Sequence, residues 1–473
     1  MTTHARPTGA TARWPDHPGQ PGHTQTGAAP AQGKAWGRAR HSRGLLTMLT
    51  VLGLSCLTLA GCATRDSRAA DDADAVIEWT MLADEFGGGG ANWRTIAIMH
   101  RAMHDAINAA RPVYARWSPP APGEPAANGA APEIAMAAAA RQTLLLLHLE
   151  RRAETERHFQ AALARSADGP AKEAGIRLGT AIGTAAVRRR DNDGAALIAY
   201  FASSGLPMRW RPTPAGFGTG RMEGTVPFLF AAVSDVPAVP PPAPDSPVWL
   251  QHLDEVRRVG AARNAQRTRD QTASAIFWAG QNSQRGFVHL AGHLLVAHPR
   301  AGGLAEHAWI MARLTSALAD SGIIVWNEKA RFAFWRPVTA IRAAAGASDA
   351  DRNWEPLVET PPFPEYPSGH AADCYVGAGM LRAAFPDLRE PVSYPWHVGS
   401  EAPHVEAGTE HHRMNGQEEP HRLFASLDAA ADECALSRIW AGVHFRAGDE
   451  EAKRLADIIV KRALTTVPPL SLK

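Results

Sequence analysis

Glu365-Tyr366-Pro367-Ser368-Gly369-His370 cannot be the interior of a helix. Pro367 holds the residue before it in an extended or turn backbone. Ser368 is a good helix N-cap, and Gly369 keeps the backbone open to a ligand. Residues 371–380 then read as a helix. The turn therefore predicts a helix N-terminus that offers a hydroxyl, free N–H groups and an imidazole to one point, an arrangement suited to a tetrahedral oxyanion.

Two other segments supply matching groups. Lys329-Ala-Arg-Phe-Ala-Phe-Trp335-Arg336-Pro337 places Lys329 and Arg336 about two helical turns apart, and so on one helix face, with Pro337 stopping or kinking that helix. Ser437-Arg438-Ile-Trp-Ala-Gly442-Val443-His444 adds a guanidinium and an imidazole around a break at Gly442. Two Arg, one Lys, a hydroxyl, free amides and two His exceed what a structural ion pair needs. They suit an oxyanion of about two or three negative charges.

Lys-six residues-Arg-Pro, Pro-Ser-Gly-His and Ser-Arg-five residues-His, in this order, resemble the three-part signature of the type 2 phosphatidic acid phosphatase / vanadium haloperoxidase superfamily. Upstream, Met99-His-Arg-Ala-Met103-His104-Asp105-Ala-Ile-Asn108 and Trp210-Arg-Pro-Thr-Pro look like segments of its bacterial vanadium-haloperoxidase-like branch. The resemblance covers most of residues 90–460 and leaves out 1–75. It implies an all-α fold of helical bundles with the anion site in the C-terminal bundle. It also implies vanadate as cofactor, with phosphate as the alternative bound anion. Lys329, Arg336, Ser368, Gly369 and Arg438 would hold the anion's oxygens, and His370 would act as acid/base. His444 would ligate the metal in a haloperoxidase, or attack phosphorus in a phosphatase. The partners implied are hydrogen peroxide and halide, giving hypohalous acid, with an unidentified small organic acceptor; the runner-up is an acid phosphatase, and the third reading a non-catalytic oxyanion binder.

Trp326 and Phe363 resemble the aromatics that line the halide pocket of chloroperoxidase-type members. An apolar wall there lowers local polarity and leaves little room for phosphate-ester contacts; the alternative is that both rings are core. One departure stands out. The superfamily usually has Asp four positions after the later His, whereas this chain has Gly448, with Asp449 one residue on. That displacement weighs against the phosphatase, whose nucleophilic His needs an orienting acid. Cys374 lies one turn past His370 and Cys434 one turn before Arg438, on helices that would converge on the anion; the two thiols either bridge or stay free.

The 473 residues allow several compact units or one large domain. Abundant Ala and Leu and few β-branched runs favour helices. Six of the 49 Lys/Arg and one of the 47 Asp/Glu lie in residues 1–62, so the rest carries 43 basic and 46 acidic side chains. That balance gives no case for nucleic-acid binding. Arg38, Arg40 and Arg43 precede a short apolar run ending in Leu59-Ala60-Gly61-Cys62, a bacterial lipoprotein-type signal, which predicts export and lipid attachment at Cys62. The anchor would be the protein's only membrane contact, since no later segment reaches the roughly 18 uninterrupted apolar residues of a membrane span.

The resulting plan is a disordered or over-long extension (1–43), a signal peptide (44–62), a linker (63–90), an N-terminal helical part (91–202), a Pro/Gly-rich surface connection (203–248) and a C-terminal helical catalytic part (249–465). Gly175, Gly179 and Gly183 mark a close helix crossing. Thr268 to Gln271 reads as a capping box. A helical run over 304–345 and helices at 421–436 and 449–464 are expected. His100, His104 and Asp105 read as polar groups at a helix contact, and His411 and His412 as part of a solvated loop over 386–420.

Overall fold

Thirty residues, Gly303–Phe332, form one helix that is buried along most of its length. It is apolar on nearly every side, the pattern of a helix enclosed by others. By length and composition it could cross a membrane, yet its most apolar stretch lies almost wholly inside the protein. Ser321 and Gly322 sit within it without breaking it.

The computed structural model describes residues 75–87, 92–195, 201–212, 224–263, 265–344, 346–395, 410–414 and 417–467, all within one compact unit, Thr58–Lys473. The expected extension and signal peptide lie outside the described residues. Fourteen helices stand among the described residues, and the fold is all-α but for one small sheet. The first half contains α1 (75–86), α2 (Trp93–Ala110), α3 (Pro132–Leu147), α4 (Arg152–Ala164) and α5 (Pro170–Arg188). The second contains α6 (Pro247–Val259), α7 (Arg269–Ala279), α8 (Ser283–Ala297), α9 (Gly303–Phe332), α10 (Pro337–Ala343), α11 (Asp349–Arg352), α12 (Gly369–Ala384), α13 (Leu427–Trp440) and α14 (Arg446–Thr465). One continuous apolar core joins the halves, with Met99, Met103 and Ile107 of α2, Phe287 of α8, Ile323 of α9, Leu381 of α12 and Leu455 of α14.

The glycine stripe does what its spacing implies. A Cβ at Gly175, Gly179 or Gly183 of α5 would come within 2.9, 2.1 or 2.6 Å of the carbonyl oxygens of Ala131, Ala135 and Ala139. The two helices touch through backbone there, and a methyl group would cost about 1–3 kcal/mol by forcing them apart. Thr268 and Gln271 form the capping box that opens α7. On α2, Asp105 accepts from the N–H groups of Trp117 and Ser118, and His100 bonds Thr80, so these polar groups are structural.

The connection after residue 203 is mostly exposed in its described residues, as a surface wrap should be, but it is pinned to the interior at points: Trp210 and Val236 are fully buried. Its N–H groups at Phe228 and Leu229 donate to Asp320 of α9 (2.5 and 2.8 Å), and that of Val239 donates to Glu451 of α14 (2.9 Å). Buried backbone must find partners, and these carboxylates provide them. One expectation is corrected: the region 386–420 is not all loop. β1 (Val392–Pro395), β2 (Glu410–Met414) and β3 (Gln417–Phe424) form an antiparallel sheet in the order β1-β3-β2, with Tyr394 opposite Arg422 and His412 opposite Glu419. His411 and His412 therefore lie on a strand. The helix expected from 421 starts at Leu427 instead, where Ser426 caps it by accepting from the Ala429 N–H.

Cys374 of α12 and Cys434 of α13 form a disulfide. It ties together two helices that each carry a residue of the predicted anion site.

Candidate active site

The last turn of α9 carries Lys329, which is 1% exposed. Its ammonium donates to the carbonyls of Pro364 (3.0 Å), Glu365 (2.7 Å) and Pro367 (2.6 Å). All three of its protons are engaged, so Lys329 grips the loop before Ser368 and adds charge rather than free donors. Arg336 does not share a helix face with it. The helix ends at Ala333, which takes a left-handed φ of 44°. Arg336 is extended, as a residue before proline should be, and Pro337 opens α10 at its first position. The two cations meet through this turn, which rests on the aromatic cluster of Trp249, Phe334, Trp335, Tyr366 and Phe445.

Arg336 is fully buried. Its Nε donates to the Phe363 carbonyl (2.9 Å), and its Nη1 to the Val443 carbonyl (2.8 Å) and His444 Nε2 (3.1 Å). Its Nη2 has no partner among the described residues. Arg438, at the end of α13, leaves Nε and Nη1 unpartnered in the same way. Gly442 has a φ of +79°, a turn that suits glycine, and it swings the chain back toward Arg438. The N–H groups of Val443 and His444 then donate to the Arg438 carbonyl (3.1 and 3.3 Å).

Ser368 occupies the N-cap position of α12, but its hydroxyl makes no capping bond; it is buried near the Asp449 carboxylate without a well-formed hydrogen bond. The capping role read from the sequence is thus not performed, and the oxygen stays available. The Tyr366–Pro367 peptide bond is cis. Gly369 begins α12, and His370 Nε2–H donates to the Gln281 carbonyl (3.2 Å).

A cavity of about 360 Å³ opens here, lined among others by Gln281, Trp326, Phe363, His370, Arg438 and His444. Lys329 and Gly369 also reach it. Arg336 and Ser368 do not line it but abut residues that do. The Trp326 and Phe363 rings pack at 4.7 Å between centroids, and Phe201 stacks behind Trp326 at 5.7 Å. Phe363 also faces the Arg336 guanidinium (4.9 Å) and the Lys329 ammonium (5.4 Å), contacts favoured by the ring quadrupole.

Three functional candidates escape the sequence reading. Glu365 Oε1 accepts from His444 Nδ1 (2.7 Å) and from the Phe445 N–H (3.1 Å). Gln281 is buried with its side-chain amide unpartnered. Asp373 accepts from Ser321 (2.7 Å), Ser283 (3.0 Å) and Gln284 (3.1 Å) at the cavity wall. The polar run Gln281-Asn282-Ser283-Gln284, where α7 gives way to α8, was the available signal for Gln281 and for two partners of Asp373. Asp449 does not reach His444; both its oxygens are buried without a hydrogen-bond partner, although Ser368 stands close enough to favour its ionised form.

The charges of the site are desolvated, with the Glu365 and Asp449 carboxylates as the countercharges of its three cations. Burial, with Arg336 next to it, holds Lys329 well below its ordinary pKa. Burial lowers Arg336 to about 9 and Arg438 to about 10. Both imidazoles are held well below theirs by burial and then by the cations. Burial also raises Glu365 to about 7 and pushes Asp449 well above the carboxylate range. A bound oxyanion relieves the cations and satisfies the orphaned donors of Arg336, Arg438 and Ser368. Vanadate and phosphate both fit this donor set, and His444, whose Nε2 accepts from Arg336, lines the same cavity.

Residues 309–470 match the family model described as the VCPO second helical-bundle domain. Vanadium chloroperoxidase from Curvularia inaequalis is 31% identical over 134 residues, 24% of this chain; the match spans 22% of that protein's length. The fold is similar to that of a bacterial vanadium-dependent iodoperoxidase (TM-score 0.65, 20% identity, 86% of this chain and 98% of the other). It is also similar to that of a holo-type bacterial vanadium-dependent chloroperoxidase (TM-score 0.58, 18% identity, 78% and 90%).

Proposed function

We infer, from a chain that belongs to the vanadium haloperoxidase-like family, that this protein is a vanadate-dependent haloperoxidase. It would convert hydrogen peroxide, halide and one proton to hypohalous acid and water. The observation that carries this reading is the aromatic wall of Trp326 and Phe363 standing in one cavity with Arg438 and His444. Vanadate, when bound, supplies Lewis-acid activation of peroxide. His444 would hold it through Nε2, while Arg336, Arg438, Ser368 and the N–H groups at Gly369 would hold its oxygens. Lys329 adds positive charge from behind the loop. His370, whose Nε2–H is committed to the Gln281 carbonyl, has Nδ1 with which to accept or return a proton. The aromatic wall keeps water from the halide.

A second reading is favoured by one specific contact. The bond from His444 to Glu365 gives this imidazole the orienting carboxylate that a phosphatase nucleophile needs, so the missing acid at position 448 no longer counts against that chemistry. The two are separated with purified protein lacking residues 1–62. Peroxide-dependent oxidation of bromide or iodide that requires added orthovanadate supports the haloperoxidase. Turnover of a phosphate monoester without vanadate, inhibited by vanadate, would overturn it.

Asp373 gives the haloperoxidase a pH signature. Burial raises its pKa to about 6, against the bonds from Ser321, Gln284 and Ser283 and the charge of Lys329. Below that pH it is neutral; above it, an anion stands at the wall of a cavity that must admit halide. The KM for bromide is therefore expected to rise about tenfold as pH rises through this window, the effect of about 1.4 kcal/mol of repulsion. Asp373→Asn should flatten the rise, and an unchanged profile in that variant would refute the assignment.

We also propose that the protein is exported and anchored through a lipid on Cys62, as Leu59-Ala60-Gly61-Cys62 suggests. Cys62→Ser is expected to move it from the detergent-rich to the aqueous phase on partitioning; an unchanged distribution rejects lipidation.

A further inference from the structure

We propose that Glu365 is the positioning residue of His444, and that position 448 is glycine because the Glu365 carboxylate occupies the space a side chain would need. The proposal rests on reading His444 as the residue that binds the oxyanion's central atom. It holds for either chemistry of that site.

The tautomer of His444 follows from its neighbours. The Arg336 guanidinium only donates, so His444 Nε2, 3.1 Å from Nη1, is the accepting nitrogen. The proton is then on Nδ1, which donates to Glu365 Oε1 at 2.7 Å. The Phe445 N–H donates to the same oxygen at 3.1 Å, so adjacent residues hold one carboxylate. Glu365 is itself fixed at both ends of its backbone. Its N–H donates to the Phe334 carbonyl (3.0 Å), and its carbonyl accepts from Lys329 (2.7 Å). The carboxylate is 0% exposed.

Gly448 completes the arrangement. A Cβ built there would lie 2.4 Å from Glu365 Oε1, 3.3 Å from its Cδ and 3.4 Å from its Oε2. All three nearest atoms belong to one carboxylate. Gly448 lies in the first turn of α14 and is not among the positive-φ glycines. The glycine therefore serves space rather than backbone conformation. The helix cannot slide away to make room, because the Gly448 carbonyl accepts from the Ser368 N–H at 3.0 Å. Asp449, next in sequence, leaves both oxygens unpartnered and is not the orienting acid. The carboxylate that serves His444 thus arrives from the loop before Ser368, and α14 is cut back to admit it.

The test measures binding of orthovanadate and of inorganic phosphate by equilibrium dialysis, with the 15N shifts of His444 as a second readout. Glu365→Gln keeps the shape of the side chain, and Glu365→Ala removes it. Both are expected to weaken vanadate binding, Glu365→Ala by about 10- to 100-fold, the usual loss when a ligand's outer partner is removed. The His444 signals should shift from the Nδ1–H form toward exchange between tautomers. Gly448→Ala should reproduce the loss in the wild-type background, yet cost nothing further in the Glu365→Ala background, because its effect runs through the carboxylate. Wild-type affinity and unchanged Nδ1 resonances in Glu365→Gln and Glu365→Ala would overturn the proposal. So would an equal loss from Gly448→Ala in both backgrounds. A wild-type protein that binds neither anion, and is indifferent to His444→Ala, would instead remove the reading of the site beneath it.

Discussion

Replacing His444 with alanine is expected to abolish vanadate binding and lower halide oxidation by about a thousandfold or more. The argument is one of donor type. Lys329, Arg336 and Arg438 offer only N–H donors, so they can hold the anion's oxygens but cannot bond its central atom. His370 commits Nε2–H to the Gln281 carbonyl. Its Nδ1 is a second neutral nitrogen, but only the His444 imidazole is oriented by a fixed carboxylate, and burial with the surrounding cations disfavours its protonated form. Vanadium content after dialysis and bromide oxidation should fall together. Vanadium retained at wild-type affinity would sink the assignment of His444 as ligand.

The second large effect is an opposite response in stability and in binding. Arg438 is 2% exposed, two of its donors are orphaned, and burial lowers its pKa to about 10. Without an anion, this guanidinium is a desolvated charge with poor compensation, which is costly to fold. Arg438→Met keeps the length and removes the charge. The anion-free variant is expected to melt at the wild-type temperature or a few degrees higher. The stabilisation by saturating vanadate or phosphate should be lost; in the wild type it is about 2.7 kcal/mol at a hundredfold excess over Kd. Thermal melts with and without anion separate the outcomes. A variant that melts lower without anion, and still gains the full shift with it, would show Arg438 to be a structural cation.

These effects depend on contacts that the sequence discloses unevenly. The three segments that supply Lys329, Arg336, Ser368, His370, Arg438 and His444 are legible because each packs its chemistry into fewer than ten residues. The end of α9 is not, since Ala330-Arg-Phe-Ala333 contains no stop signal. The chain turns there because Arg336 needs the carbonyls of Phe363 and Val443, a tertiary demand that overrides helix propensity. The small sheet is hidden by Pro395 and Pro420, residues that normally argue against a strand. Glu365 stands inside the most informative stretch of the chain, yet its role depends on His444, 79 residues away. An acid displaced in sequence looks lost until the fold shows where another carboxylate enters.

The bridge between Cys374 and Cys434 has a further consequence, for how this protein can change. It closes a 60-residue excursion, and its two ends lie one helical turn from His370 and one from Arg438. Whatever happens to the length of the chain between them, the covalent link keeps those two ends in register beside the cavity. Lengthening such an excursion is entropically cheap, about 0.6 kcal/mol per doubling. The segment that carries the three strands is therefore the natural place for insertion, replacement or grafting: a decorable arm on a clamped base, where new surface can be acquired without moving the groups that line the cavity.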